Sequence, residues 1–268
     1  MVLPWDKDFL SSKTELSSKT ILYASEGQNV NNVSRSIVKK ILCNIDSKDY
    51  LNLPLEEIAS QNFIFLYPKD KYVIDIGQIR DSFKYLLLKS NSKRLLYLEN
   101  IERIETRTFN TLLKFSEEAD KNMIIYMSTN NINIVPKTIL SRFQKLKIPK
   151  PSNEIVKQHL INLGLNFDEQ KNDFVLENLN LLSEEDKNIN ELFLKFDEYE
   201  AKKEIATKDK EEIRLFLDYQ IHKIKFNMLK VKSNNKGKLE ELRELRKQIL
   251  MPHNLSLDIL KSKLCLYI

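Results

Sequence analysis

The sequence predicts an α/β fold with a parallel sheet in its first half, followed by helices only. Two observations support this prediction. Between residue 20 and about residue 150, short apolar runs rich in β-branched and aromatic residues alternate with longer segments of helical spacing. Beyond that point only helical spacing recurs. Strands and helices that alternate in this way are typical of parallel sheets with helices on both faces.

Four apolar runs predict the buried strands of this sheet. Each run is short enough for a strand and is bounded by polar residues or proline. The runs are residues 20–23, 63–67, 94–98 and 123–127. The segments between them carry apolar residues three or four positions apart, which predicts helices. Members of these helices are Val33, Ile37, Val38, Ile41, Leu42, Ile79, Phe83, Leu86, Leu87, Phe109, Leu112 and Leu113.

Two prolines end the alternation and suggest a domain boundary. Pro149 and Pro151 interrupt the pattern, and Ser152 or Asn153 then begins a new helix. Gly164 is expected to cap a helix at its C-terminus. We therefore predict an α/β domain over residues 1–150, a small helical lid domain over 151–187 and a helical collar domain over 188–268.

Composition and charge limit the classes of function. The net charge of +5 permits contact with nucleic acid but does not indicate it, because 43 basic residues are interleaved with 38 acidic ones. Apolar runs stay below the roughly 18 residues of a membrane-spanning helix, so we expect a cytoplasmic protein without membrane contact. Two distant cysteines and three isolated histidines, expected in ordinary surface or boundary roles, predict no metal site.

The turn after the first strand is where a phosphate-binding loop (P-loop) would lie. Such a loop needs glycines for close backbone approach and a lysine for the β- and γ-phosphates. Here only Gly27 remains, Asn31 stands where the lysine belongs, and Glu26 adds negative charge. The strand that should end in acidic residues to hold Mg²⁺ runs into Glu99 followed by Asn100. We predict a degenerate P-loop at Ser25, Gly27 and Asn31, with no cofactor and no ATP hydrolysis.

A short helix that begins near Pro136 and ends near Arg142 follows the fourth strand. Proline suits the first turn of a helix. An arginine at a helix end ordinarily caps the last carbonyls or pairs with a surface carboxylate. The alternative is that Arg142 faces some other group, and the surrounding segments bear on this choice.

Four segments, taken in order, resemble the delta-prime subunit of the bacterial DNA polymerase III clamp loader. They are K-K-I-L-C at 39–43, I-D-I-G-Q-I-R at 74–80, N-T-L-L-K-F-S-E-E at 110–118 and P-K-T-I-L-S-R-F at 136–143. The resemblance covers about residues 20–150 and implies a AAA+ fold without a working nucleotide site, then a lid and a collar. It also implies an accessory, non-enzymatic subunit in a hetero-pentamer. Its partners there would be gamma/tau-like motor subunits and a delta subunit, and the complex would act on the sliding clamp and primed DNA.

The resemblance assigns a role to Ser141 and Arg142. With Phe143 they match the family's Ser-Arg-Cys motif, whose arginine enters the ATP site of the neighbouring motor subunit. A guanidinium stays charged and donates in a fork, which suits a transferring phosphoryl group. Position 143 departs from the motif, and residues 44–62 lack the cysteines of the zinc module that many family members carry, so no zinc is expected.

Three other functions remain open from the sequence. The chain could be an ATP-hydrolysing motor subunit of the same loader with an unconventional nucleotide loop. It could be the clamp-opening delta subunit, which should present an apolar wedge and lack the arginine finger. It could also be a stand-alone nucleic-acid-binding helical protein, which should bind DNA without partners and with a steep salt dependence.

Overall fold

The protein is described by a computed structural model. It covers residues 3–12, 17–25, 27–68, 74, 76–86, 92–104, 108–119, 121–182, 188–231, 235–250 and 256–267. The chain forms two compact units. The first contains Met1–Ile155 and Asn178–Glu184, and the second contains Val156–Glu177 and Glu185–Ile268. The division into three domains at residues 150 and 187 stays a prediction.

The first unit contains the predicted parallel sheet. In the described part of the chain the sheet has five strands in the order β2-β3-β4-β1-β5, and every neighbouring pair is parallel. The strands are β1 Lys19–Tyr23, β2 Phe63–Leu66, β3 Arg94–Leu98, β4 Met123–Thr129 and β5 Gln144–Lys147. All strands therefore end at the same edge of the sheet, which we call the carboxyl edge.

Strand β5 is absent from the sequence prediction. It pairs with β1 in a register that puts Lys145 opposite Ile21 and Leu146 opposite Leu22. Gln144, Lys145 and Lys147 are exposed, and only Leu146 contributes an apolar side chain to the buried side. A strand at the border of a sheet needs no continuous apolar run, so the pattern that identified the other four strands is missing here.

Helices cover both faces of the sheet. The helices of this unit are α1 Pro4–Ser12, α2 Val30–Asp46, α3 Ile76–Leu86, α4 Thr108–Glu118 and α5 Lys137–Leu140. Ile21 packs into the core cluster that includes residues of α3 and α4, whereas Leu22 packs into the cluster that includes α2. Successive strand residues point to opposite faces, so β1 contributes to both clusters. Helix α1 was not predicted, and Leu87, expected in α3, lies outside the described residues.

Helix α6, Asn153–Asn162, starts where the sequence predicts a new helix. As expected, Gly164 follows its C-terminal end, with a φ of 71°. The Leu165 amide donates to the Leu160 carbonyl at 2.9 Å, and the Gly164 amide donates to the Ile161 carbonyl, also at 2.9 Å. Glycine takes this left-handed conformation without the steric cost of a Cβ atom, so it satisfies the last carbonyls of the helix.

The second unit is helical, as the spacing predicts. Its further helices are α7 Glu169–Glu177, α8 Ile189–Lys202, α9 Lys210–Val231, α10 Lys236–Leu250 and α11 Leu257–Cys265. Their core is aromatic, with ring contacts among Phe174, Phe193, Phe196, Phe216 and Tyr219. His222 is buried beside this core, and its Nδ1 lies 2.9 Å from the half-exposed Glu177 carboxylate, so of the two expected roles the boundary one fits this residue. None of the helices in the described ranges is long and apolar enough to cross a membrane.

Candidate functional site

The turn after β1 is the segment for which the sequence predicts a degenerate P-loop, and its polar groups bond within the chain. The Ser25 amide donates to the side-chain oxygen of Gln28 at 3.1 Å, and the Gln28 amide nitrogen donates to the Pro149 carbonyl at 3.0 Å. Gly27 has a φ of 86°, and its carbonyl accepts from the Asn180 amide at 2.8 Å. Hydrogen bonds to Pro149 and Asn180 thus fix the turn from two other segments of the same unit. Glu26 lies outside the described residues.

Asn31, the residue at the lysine position, lies in the first turn of α2 and reaches the carboxyl edge. Its amide nitrogen donates to the side-chain oxygen of Asn100 at 3.0 Å. Its side-chain oxygen accepts from the Ser128 hydroxyl at 3.1 Å. Asn100 follows β3 and Ser128 lies near the end of β4, so Asn31 connects the ends of two adjacent strands. Ligands of parallel α/β sheets bind at this edge.

Glu99 follows β3 and is paired with Arg35 of α2. The Arg35 Nε lies 2.5 Å from Glu99 Oε2, and Nη2 lies 2.9 Å from Glu99 Oε1. The second carboxylate on this guanidinium is Glu56, whose Oε1 is 2.9 Å from Nη2. Only 5% of the Glu99 side chain is exposed. Although burial acts to lower the pKa of Arg35, the hydrogen bond and charge of Glu99 raise it above its ordinary value.

Tyr97 joins these groups from within β3. Its hydroxyl lies 2.5 Å from the Ser34 hydroxyl, 3.0 Å from that of Ser128 and 3.3 Å from Glu99 Oε2. Burial, and secondarily the charge of Glu99, raise the pKa of Tyr97 well above its ordinary value. Tyr97 is therefore a neutral phenol that can both donate and accept in this network.

Arg142 lies just after α5, where the sequence predicts it. Pro136 is the N-cap residue of α5 and Ser141 its C-cap residue. Arg142 Nη1 donates to the Thr138 carbonyl at 3.1 Å, and Nη2 lies 2.6 Å from Glu117 Oε1 of α4. The Arg142 side chain is 41% exposed. Both ordinary roles of an arginine at a helix end, carbonyl capping and carboxylate pairing, are present here.

The neighbours of Arg142 fix the helix end. The Ser141 hydroxyl donates to the Thr138 carbonyl at 3.0 Å and lies 3.4 Å from Arg142 Nη1. Phe143, the residue after Arg142, is buried in the core cluster that contains Ile139. A buried residue directly after the arginine anchors the backbone, while the guanidinium stays at the surface.

The sequence-predicted site residues therefore lie in two places. Ser25, Gly27 and Asn31 belong to the turn after β1 and the start of α2, whereas Ser141 and Arg142 form the end of α5. Sequence reasoning missed Arg35 and Tyr97. It singled out Glu99, but 64 positions separate this residue from Arg35 and no local pattern connects them. In the described ranges, no group of three or more His, Cys, Asp or Glu side chains is arranged to hold a metal ion.

Comparison with known proteins relates the chain to one family. The model of the family described as "DNA polymerase III, delta subunit" matches residues 9–152, more than half of the chain. A DNA polymerase III subunit gamma of Buchnera aphidicola subsp. Baizongia pistaciae is 33% identical over 105 residues, which are 37% of this chain and 28% of that protein. The subunit gamma of Buchnera aphidicola subsp. Schizaphis graminum is 26% identical over 161 residues, 56% of this chain and 44% of that protein.

A solved structure shows the same fold over the whole chain. The DNA polymerase III gamma subunit-related protein of Thermotoga maritima superposes with a TM-score of 0.55 at 15% identity, covering 98% of this chain and 97% of that one. By contrast, the chain spans less than half the length of the Buchnera gamma subunits that it matches. The extent of the family match decides the assignment: the chain belongs to the DNA polymerase III delta subunit family of clamp-loader proteins.

Proposed function

We propose that the chain is a delta-prime-like, non-hydrolysing subunit of the DNA polymerase III clamp loader that supplies Arg142 in trans to a neighbouring ATPase subunit. Its partners in this proposal are gamma/tau-like motor subunits and a delta subunit in a hetero-pentamer. Through that complex it helps to place the sliding clamp on primed DNA. The similarity to proteins named as gamma subunits of DNA polymerase III supports a place in this loader, and the choice of the non-hydrolysing role depends on the residues described next.

The observation that carries the proposal is the bonding of Asn31. A P-loop binds phosphates with backbone N–H groups that face the ligand and with a lysine that reaches the β- and γ-phosphates. Asn31 carries no positive charge, and its amide is engaged with Asn100 and Ser128. The Ser25 amide bonds to Gln28, and the acidic side chain of Glu99 is paired with Arg35. These residues do not fit a Mg²⁺–triphosphate, which supports a subunit without its own ATPase activity.

The geometry of Arg142 supports its use in trans. Its contacts to Thr138 and Glu117 use Nη1 and Nη2, and 41% of the side chain is exposed. The Glu117 carboxylate is itself half exposed, and an ion pair at such a surface contributes about 0–1 kcal/mol. A triphosphate in a drier, more highly charged pocket binds a guanidinium more strongly, so it can take Arg142 from Glu117.

The decisive experiment is Arg142→Ala in the complex reconstituted from all its subunits. We expect assembly to persist, while DNA-stimulated ATP turnover falls. Arginine fingers in GTPases raise the hydrolysis rate at the site they enter by about 10³-fold or more. The total ATP turnover of the complex should therefore fall by the fraction that this one site contributes. Lys137→Ala is the matched control, since Lys137 is an exposed cation on the same helix. Unchanged turnover for Arg142→Ala would refute the trans role.

The second candidate is an ATP-hydrolysing motor subunit. It is favoured by the relatives, since the Buchnera proteins that match over 105 and 161 residues are both named subunit gamma. Titration of the isolated chain with labelled ATP and Mg²⁺ separates the two functions. Micromolar affinity would support the motor, whereas the non-hydrolysing subunit should show no saturable binding in that range.

A further inference from the structure

Arg35 connects four elements of the first unit at the carboxyl edge. From α2 it reaches Glu99 after β3 and Glu56 in the short 3₁₀ helix Leu55–Glu57. Its guanidinium also lies 5.4 Å from the ring centroid of Phe65 in β2, within the range of a cation–π contact. A guanidinium offers five donors in a planar fork, so it can serve two carboxylates at once.

In the folded chain, the negative charge of Glu99 at the carboxyl edge requires a neighbouring cation. Its side chain is almost fully buried, and a buried carboxylate without a partner is strongly unfavourable. In nucleotide-hydrolysing relatives of this sheet type, the acidic residue after such a strand faces Mg²⁺. In this chain the positive charge that neutralises Glu99 comes from Arg35 of the same domain, which donates to both carboxylate oxygens.

We propose that Arg35 is a built-in counter-ion for Glu99, which completes the carboxyl edge of the sheet without a nucleotide or a divalent cation. This inference rests on the proposed non-hydrolysing function and adds the residue that makes it structurally possible. A Mg²⁺-bound nucleotide would have to displace a guanidinium bonded at two points and would leave Arg35 facing the incoming metal ion. In this proposal the carboxyl edge around Glu99 needs neither ligand to be neutralised.

The test is a double-mutant cycle in the full chain, followed by thermal unfolding. The variants are Arg35→Met, Glu99→Gln and the double variant, where methionine retains the apolar stem of Arg35. We expect Arg35→Met to lower the melting temperature by about 6 °C or more, because it leaves the Glu99 carboxylate buried without a counter-ion. The double variant should recover most of this loss, because it removes the unpaired charge. Arg80→Met, which removes an exposed arginine from α3, should change the melting temperature by no more than about 2 °C.

Two results would overturn the inference. The first is an additive cycle, in which Glu99→Gln lowers the stability of the Arg35→Met variant further instead of restoring it. That result would mean that Arg35 acts through packing and not as a counter-ion. The second is an Arg35→Met variant as stable as Arg80→Met. Either result leaves the trans role of Arg142 standing, while unchanged ATP turnover in the Arg142→Ala complex leaves the coupling of Arg35 and Glu99 standing.

Discussion

Replacing Asp6 by asparagine should stabilise the chain at neutral pH. Asp6 lies in the first turn of α1, and only 7% of the residue is exposed. Burial raises the pKa of this carboxyl from 3.8 to about 6. A carboxyl with a higher pKa in the folded chain than in the unfolded chain is harder to ionise when folded. The stabilisation that accompanies its protonated form is complete below pH 3.8 and is lost as the pH rises through 6.

Two opposing effects set the change in the free energy of unfolding for Asp6→Asn. A pKa difference of about two units corresponds to about 3 kcal/mol of free energy of unfolding lost at neutral pH. Against this, a negative charge in the first turn of a helix gains about 0.3–1 kcal/mol from the helix dipole. Desolvation is the larger effect. We therefore expect Asp6→Asn to raise the free energy of unfolding by about 2 kcal/mol near neutral pH.

The assay is urea unfolding of the wild type and the variant at several pH values between about 4 and 7.5. The gain should shrink as the pH falls toward the pKa of the carboxyl in the unfolded chain. Asp81→Asn is the control, because the Asp81 side chain of α3 is 77% exposed and forms a surface ion pair with Lys84, three residues along the same helix. That variant should stay within about 0.5 kcal/mol of the wild type throughout. A gain for Asp6→Asn that is absent at neutral pH, or that is the same at every pH, would refute the reasoning.

Two further predictions use pairs of identical substitutions. Gly164→Ala should lower the free energy of unfolding by about 1 kcal/mol, because its φ of 71° disfavours a side chain although a Cβ atom would meet no neighbour. Gly237→Ala, at the second residue of α10, should raise it by about 0.5 kcal/mol or less, because alanine suits a helical backbone better than glycine. A change of the same sign for both variants in chemical denaturation would contradict the conformational argument. Tyr97→Phe should lower the free energy of unfolding by about 1–2 kcal/mol, because the buried Ser34 and Ser128 hydroxyls lose a partner. Tyr85→Phe, at the surface, should leave it nearly unchanged. If both variants lost the same free energy of unfolding, the buried network could not be the cause.

The first half of the fold could be predicted because its strands carry their own signal. A strand buried on both faces is a continuous apolar run, as in β4, and its length distinguishes it from a helix. Pro136 and Gly164 predicted helix ends for reasons of backbone conformation that need no tertiary information. β5 lacks the apolar run because most of its side chains face outward.

The candidate site could be predicted only in part, because its interactions join residues that are distant in sequence. The sequence shows that Asn31 is not a lysine and that Arg142 lies near a helix end, and both residues were chosen from motifs. Sequence does not reveal that Arg142 meets Glu117, since that contact depends on how α4 and α5 pack. The partner of Glu99 is hidden for the same reason: Arg35 is one of many basic residues on amphipathic helices, and only the folded sheet brings the two together.

The polar character of β5 has a consequence for how the molecule behaves among its own copies. A sheet that stops at an open border presents unpaired backbone groups to any other extended chain. In β5 that border carries Lys145 and Lys147, whose ammonium groups would be forced against those of a second copy stacking there. Such like-charge repulsion is one way in which natural β-proteins avoid fibrous self-association. The lysines that make β5 hard to recognise in the sequence therefore also disfavour its pairing with a second copy.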